Sequence, residues 1–469
     1  AQLNDFTYKK DNEVVNNCYF YFYKAVDVCN KFLDTYSGET PTPRLKDCIA
    51  QVRVLRAWLY MTLAIGWNNP PLVLTYPAPK RVKNTPHDVI LDWCAKECKE
   101  AIPDLPERAA KTDREGACVV TKGFALGVCG KAQLFAGKYS EALASLKPLV
   151  ESDKYELVPG ESISTLFHVA GNGCEEKIFE FNMKAFADSC EFDYPWSMYF
   201  GAETRLWSCK DKAYESSPWS GNQAGECDWG LGMNIDQAHK FLENDGDSYR
   251  RKAAFLTSDE TFYDEELTAY KDPEYYGKTK GWKEFFGGIG ISLPDGLRGQ
   301  GDVTPSKLIV YADDVSPMGS NKINFCLMRL GEAYLLYAEA CLREGQTGEA
   351  KKYINKIQER AGAKTISGMV DMDVLKDEKE YELWMEGCRW ADIMRWQDER
   401  ALNITLPYAG THEIFAWDEY FTSGGNKPHK LYYKITPVKE NGAFNKNKHR
   451  YFPYPTAAVN SGLQQNPLW

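Results

Sequence analysis

Between Val14 and Leu157 apolar residues return every third or fourth position, the period of helices with one buried face. The segments VVNNCYFYFYKAVDVCNKFLDTY, CIAQVRVLRAWLYMTLAIGW, VILDWCAKECKEAIPDLP and TKGFALGVCGKAQLFAGKYSEALASLKPLVES each carry it, with Gly, Pro or Asn at their ends. The pattern predicts a succession of helices joined by short turns. Regular helical spacing returns from Phe325 to Glu399. Between them, from about 158 to 320, stretches such as DYPWSMYFGAETRLWSC, SSPWSGNQAGECDWGLGMN and YYGKTKGWKEFFGGIGISLPDGLRGQGD show little period and many Gly, Pro, Asp and aromatic residues. One short helical stretch, DQAHKFLENDGDSYRRKAAF, interrupts them. After 401 the chain is again loop-rich, with strand-like pieces such as KLYYKITPV.

A weak internal repeat refines the helical parts. Ala132, Gly137 and Ala142 are spaced five and five, and Ala340, Gly345 and Ala350 repeat that spacing. Small residues let two antiparallel helices approach closely, and the glycine supplies the positive φ that ends the first of them. This is the logic of tetratricopeptide-like hairpins, with a degenerate earlier copy around Arg56-Ala57-Trp58. The expected fold is all-α: a hairpin scaffold over 14–157 and 325–400, a large loop-rich insertion over 158–320, a loop-rich C-terminal region over 401–469, and minor short strands, in a single domain.

Composition narrows the function. The 469 residues are 43% hydrophobic and 26% charged, enough for a large core, and the net charge is -10 with a pI of about 5.4. Lys and Arg are scattered among acids, so a surface that tracks nucleic-acid phosphates is not expected. No apolar run approaches the roughly 18 to 20 residues that span a bilayer; the stretch Trp58 to Ile65 is too short. The chain opens AQLNDFTYKK without an initiator Met, as a processed product does. Fourteen cysteines form no CxxC pair, and Cys94 and Cys98 have no histidines at zinc-site spacing, so buried free thiols with a few disulfides are expected rather than a metal site. Aromatics stand out: 13 Trp and 28 Tyr, many in irregular stretches where no helical face buries them.

Two charged helices invite a catalytic reading. In RLGEAYLLYAEACLREG, Leu330, Ala333, Tyr334, Tyr337 and Cys341 form one apolar stripe. Arg329, Glu332, Glu339 and Arg343 fall largely outside it, with Glu339 and Arg343 in the favourable i,i+4 order. In DEKEYELWMEGCRWADIMRWQDE, Glu382, Glu386 and Arg389 lie on neighbouring turns. Paired carboxylates serve glycoside hydrolysis, but these acids have cations within about a turn and little reason for a raised pKa. Both sets read as scaffold ion pairs. No GxSxG, HExxH or Walker loop is present, GGIG lacks the GxGxxG spacing, His412-Glu413 has no second metal histidine, and no cofactor motif appears.

The same helices resemble a known family. RLGEAYLLYAEACLREG followed by EAKKYINKIQERAG is similar to the R-x-x-E-x-Y-L-x-x-A-E-A … I-N-x-x-x-x-R-A-G signature of the SusD/RagB family of outer-membrane nutrient-binding lipoproteins. VLRAWLYMTLAIGWNNPPLV resembles its R-A-x-x-Y … G-x-x-P-L segment. EGCRWADIMRW resembles its E-G-x-R-W-x-D-x-x-R-W helix, and YFPYPTAAVNSGLQQNPLW its closing Y-P-I-P … N-x-x-L-x-Q-N-P-G-W. The four stand in order along nearly the whole chain. Two departures are Trp67-Asn68-Asn69-Pro70, where a Gly-Asp-Val-Pro type turn is usual, and Leu468, where Gly is usual.

The resemblance implies a non-catalytic protein exported by a signal peptide and lipid-anchored through a cysteine upstream of this chain. It would be held on the outer surface of a Bacteroidota-type cell. It would lie as a lid on a SusC-like TonB-dependent outer-membrane transporter and pass it oligosaccharide or polysaccharide. A peptide ligand is the alternative within the family. A glycosidase using Asp193, Glu203 or Asp228 is the alternative outside it.

Sugar rings have an apolar C–H face and a hydroxyl rim, so they bind flat aromatic platforms edged by amides and charges. The candidate ligand-binding residues on that chemistry are Trp67, Asn68, Asn69, Trp196, Trp207, Trp219, Trp229, Tyr275, Tyr276 and Trp282, with Phe285, Arg205, Asn222, Gln223 and Asp228 beside them.

Overall fold

The computed structural model describes Leu3, residues 6–183, 235–257, 303–305, 322–405, 413–416, 432–435 and 444–469, with Lys307 and Asp314 between them. Five helices fill the N-terminal part: α1 (Glu13–Thr35), α2 (Pro43–Trp67), α3 (His87–Ala101), α4 (Lys122–Phe135) and α5 (Tyr139–Val150). Their starts follow local chemistry. Asn12 Oδ1 accepts from Val15 N at 3.2 Å to cap α1. Thr42 Oγ1 accepts from Leu45 N at 3.2 Å to cap α2, whose first residue is Pro43. Each helix packs on the next, so the N-terminal part is an up-and-down array.

The chain then reaches β1 (Lys177–Phe181), and α6 (Ile235–Asp245) and α7 (Tyr249–Ala254) follow, separated by Gly246 at φ 53°. β2 (Phe255–Thr257) pairs antiparallel with β3 (Val303–Pro305). β4 (Phe325–Arg329) returns antiparallel to β1 and runs straight into α8 (Leu330–Arg343). α9 (Thr347–Ala361), α10 (Met372–Glu382) and α11 (Arg389–Trp396) follow, then a second short pair, β5 (Glu413–Ala416) with β6 (Tyr432–Ile435), and a final turn, α12 (Thr456–Asn460). The fold is all-α with hairpins of the tetratricopeptide type and minor two-stranded sheets.

The two predicted hairpins are the same turn built twice. In the α4–α5 turn Gly137 N donates to Leu134 O at 3.1 Å and Lys138 N to Gln133 O at 2.8 Å. In the α8–α9 turn Gly345 N donates to Leu342 O at 3.1 Å and Gln346 N to Cys341 O at 2.8 Å. Both glycines sit at φ 73°, the left-handed conformation that this helix end requires. Ala132, Ala142, Ala340 and Ala350 are fully buried where the paired helices touch.

Two expectations change. α2 is long and apolar enough, by length and composition, to cross a bilayer, where the sequence alone suggested no such run. Its apolarity serves packing within the fold, because it lies against α1, α3 and α4 and is half buried. It also carries the buried Arg56, which donates to Asn30 at 2.8 Å and Glu97 at 3.1 Å. The second change is in α8, which is buried on all sides from Leu330 to Cys341. Its charges therefore lie inside, paired between elements: Glu332 with Lys131 at 2.6 Å, and Glu339 with Arg395 at 2.5 Å. Arg343 lies over the Tyr139 ring instead of pairing with Glu339. The eleven cysteines among the described residues are free thiols.

Candidate functional site

The end of α2 and the loop behind it hold the only predicted site residues that fall within the described part of the chain. Trp67 ends α2 and is 3% exposed. Its ring packs edge-on against Tyr19 and beside Phe452, and its Nε1 donates to Pro453 O at 3.0 Å. Trp67 is therefore a packing residue with no face for a sugar; the expectation that it forms a platform gives way. Asn68 takes a positive φ, 68°, that turns the chain out of the helix. Asn69 Oδ1 accepts from His87 N at 2.8 Å and so holds the start of α3, while Asn69 O accepts from Asn84 Nδ2 at 2.9 Å. Both asparagines are half-buried and shape the loop.

That loop projects between two pinned bases. Val73 O accepts from Asn30 Nδ2 at 2.9 Å and from the Tyr60 hydroxyl at 2.5 Å. On the return, Thr85 N donates to Pro70 O at 3.3 Å, and Gln464 N donates to Asn84 Oδ1 at 2.7 Å. The residues between, Leu74 to Arg81, are exposed, and Tyr76 keeps 36% of its surface in solvent beneath Lys31, whose Nζ is 5.7 Å from the ring centre. On α1, Phe20 and Tyr21 are more exposed still, at 59% and 61%. Sequence reasoning passed over these three rings. The run Cys18–Tyr23 places five consecutive aromatics on a helix, which must turn at least one outward, and TYPAPKRVK is a Pro-rich loop with a ring at its start.

The carboxylates that suggested acid/base chemistry are occupied. Arg329 uses all five N–H groups: two on Glu386 at 2.6 and 2.7 Å, two shared between Glu176 and Glu382 at 2.6 Å each, and one on Glu382 O at 2.8 Å. Arg360 and Arg250 also reach Glu382, and Lys307 Nζ lies 2.6 Å from Glu386. Burial pushes both carboxyls up, but the surrounding guanidinium and ammonium groups more than offset it and hold Glu382 and Glu386 at about 2. A group that stays ionised down to that pH has no proton to give near neutrality. The crevice beside this network, between Phe167, Lys307 and Tyr381, has room for about one water, far less than a sugar ring. Among the described residues no cluster of His, Cys, Asp and Glu could hold a metal ion.

Against this geometry the comparisons with known proteins are direct. A model of the SusD family matches residues 210–469, more than half of the chain. The chain belongs to the SusD family. A SusD-like protein of Bacteroides ovatus is 32% identical over 80 residues, a match that spans 16% of this chain and 14% of that relative's length. Solved structures share the fold over nearly the whole chain. The surface glycan-binding protein A of Bacteroides uniformis matches with a TM-score of 0.67 at 21% identity, over 99% of this chain and 88% of that one. A SusD-like protein of Bacteroides fragilis matches with a TM-score of 0.72 at 17% identity, over 100% and 89%. The surface glycan-binding protein A of Bacteroides thetaiotaomicron in complex with laminarihexaose matches with a TM-score of 0.62 at 17% identity, over 96% and 85%.

In this SusD family member the signature residues are the scaffold's polar joints. Arg329, Glu332, Glu339, Arg360, Glu386, Asp392 and Arg395 carry the buried pairs, and Asn466 holds the end of α2 together with Tyr454, which stands where the signature has Ile. The signature therefore identifies the fold and is silent on the ligand. Trp196, Trp207, Trp219, Trp229, Tyr275, Tyr276 and Trp282, with Phe285, Arg205, Asn222, Gln223 and Asp228, lie outside the described residues.

Proposed function

We propose that this SusD family member is a surface glycan-binding protein that captures oligosaccharide or polysaccharide outside the cell without cleaving it. It hands the ligand to a SusC-like TonB-dependent transporter, and a lipid attached upstream of this chain holds it at the outer membrane. The observation that carries the reading is the likeness over 96% of the chain to a glycan-binding protein solved with laminarihexaose, together with the family match. The ion-paired state of Glu382 and Glu386 supports a binding role for the scaffold, since neither can serve as a proton donor.

Binding of this kind needs rigid rings that take the apolar face of a pyranose and polar groups that meet its hydroxyls. The insertion tryptophans Trp196, Trp207, Trp219, Trp229 and Trp282, with Tyr275 and Tyr276, are the proposed platforms there, and Tyr76 is one of the exposed rings that the scaffold itself presents. The soluble protein, titrated against a panel of polysaccharides by affinity electrophoresis and calorimetry, should retain at least one polymer and release no new reducing ends. Hydrolysis of the retained polymer, or binding of peptides with no glycan bound, would overturn the reading. Delivery is tested by recovering a SusC-like barrel with the tagged, lipid-bearing protein from detergent-solubilised outer membranes.

A further inference from the structure

The exposed loop between Leu74 and Lys83 differs from the rest of this acidic protein. From Cys48 to His87 the chain carries no Asp or Glu, although it holds 66 in all. The two arginines of that span on α2, Arg53 and Arg56, are consumed by Glu97 and Glu100. Lys80, Arg81 and Lys83 are exposed, and among the described residues no acid lies within ion-pair distance of any of them. Lys31 adds a fourth positive charge above the Tyr76 ring.

A net charge of -10 repels polyanions at long range, so three free cations and no acid on one pinned loop form a local inversion of the molecule's field. We propose that this loop binds an acidic glycan, one that carries carboxylate or sulfate groups. Tyr76 would take the apolar face of a sugar residue, and Lys80, Arg81 and Lys83 would meet the anionic groups along the polymer. The proposal rests on the glycan-binding reading above and adds the charge of the ligand to it. Three features favour a glycan over an anionic membrane. The cations sit beside an exposed flat ring. The two prolines, Pro77 and Pro79, stiffen the loop. Its bases are fastened at Val73 and at Asn84, so the loop is pre-organised for a ligand with fixed spacing between charges.

The test uses the whole chain and four probes: polygalacturonate, chondroitin sulfate, neutral laminarin, and phosphatidylglycerol vesicles. At about 50 mM salt at least one acidic polymer should bind, and raising the salt to about 500 mM should weaken it steeply. The triple variant Lys80→Gln, Arg81→Gln, Lys83→Gln should bind that polymer about tenfold more weakly, a factor of two to three for each exposed charge. It should melt at the wild-type temperature, since none of the three side chains holds the fold. An acidic polymer bound equally well by the triple variant overturns the proposal. Retention of laminarin alone does so too, while leaving the glycan-binding reading in place. If no glycan of either kind binds, both readings fall, and vesicle binding lost in the triple variant would then assign the loop to the membrane.

Discussion

The side-chain amide of Asn466 donates to the main-chain carbonyl of Trp67 at 3.1 Å, a contact between residues 399 positions apart. Its second N–H goes to Phe452 O at 2.7 Å, and the Tyr454 hydroxyl donates to the same Trp67 carbonyl at 2.6 Å. A helix leaves its last carbonyls without partners, and here the C-terminal segment supplies the donors for α2. Asn466→Ala takes the donor from the half-buried Phe452 carbonyl and leaves the buried Trp67 carbonyl with Tyr454 alone, so it should cost about 1–3 kcal/mol in chemical denaturation. A loss below about 0.5 kcal/mol would mean that water fills the gap and that the clamp contributes little.

Trp67 itself now tests the difference between a core ring and a sugar platform. With 3% of its surface exposed, Trp67→Ala should lower stability by about 3–5 kcal/mol through the cavity it leaves. Glycan affinity, measured on the fraction that remains folded, should be unchanged. Lost affinity with stability intact would return Trp67 to the binding site.

Glu386 should set part of the acid stability. Its carboxyl is held at about 2 in the folded protein by Arg329 and Lys307 against the pull of burial, below the ordinary value of 4.5. A depressed carboxylate contributes fully above the unfolded pKa and loses its contribution as pH falls toward the folded one. The window is therefore about pH 4.5 down to 2, and the contribution about 2–3 kcal/mol. Glu378, in the same network, is raised by burial and works in the opposite direction, so the comparison must be made on one residue. The stability gap between wild type and Glu386→Gln, followed by urea denaturation, should shrink through this window. A constant gap would show that Glu386 keeps an ordinary pKa in the fold.

Much of this scaffold was legible because helical period, small-residue spacing and turn glycines are local signals. Ala132, Gly137 and Ala142 could be read without knowing what they touch. What the sequence did not disclose was that α8 has no water-facing side from Leu330 to Cys341. Period assigns charges such as Glu339 to an outer face, yet Arg395 and Trp396 arrive from 56 and 57 residues away to bury it. Trp67 failed for the same reason: a tryptophan in a Gly/Asn/Pro stretch looks exposed, and only the return of the C-terminus, with Pro453 on its Nε1, encloses it. Tyr76 lies in a readable Pro-rich loop, but one tyrosine there is a weaker signal than the tryptophans that crowd the insertion.

The paired turns offer a comparison within one molecule. Gly137 and Gly345 share φ 73°, and a Cβ at either would meet nothing within 4 Å. Replacement by Ala thus adds backbone strain without a clash, about 1–2 kcal/mol at each site. The two losses should agree within about 0.5 kcal/mol and add in the double variant, because the turns lie in separate hairpins. Asn at either position should restore part of the loss, since it tolerates the left-handed conformation. Unequal losses would show that the turns, alike in hydrogen bonding, are strained differently by their surroundings.

His449 fixes the N-terminal segment against the C-terminal one and should make that junction sensitive to mild acid. The imidazole is 1% exposed and lies among the rings of Phe6, Tyr8, Phe444 and Trp469, with centroids 5.3, 5.5, 5.9 and 5.4 Å away. Its Nδ1 accepts from Asn445 N at 2.9 Å, so the ring proton is on Nε2, which faces no acceptor among the described residues. Burial, with the nearby Lys448 charge, lowers its pKa from 6.5 to about 4. The unfolded chain therefore takes up a proton below about pH 6.5 while the folded one refuses it until about pH 4. Stability should fall across that window by about 2–3 kcal/mol. This loss lies above the range in which Glu386 titrates, so the two can be separated. His449→Gln keeps a side-chain acceptor for Asn445 N and removes the titration. Its melting temperature should drop less than the wild type's between pH 7 and 4.5, even if it starts lower. Parallel melting curves for the two proteins over that range would show that protons enter the aromatic nest freely.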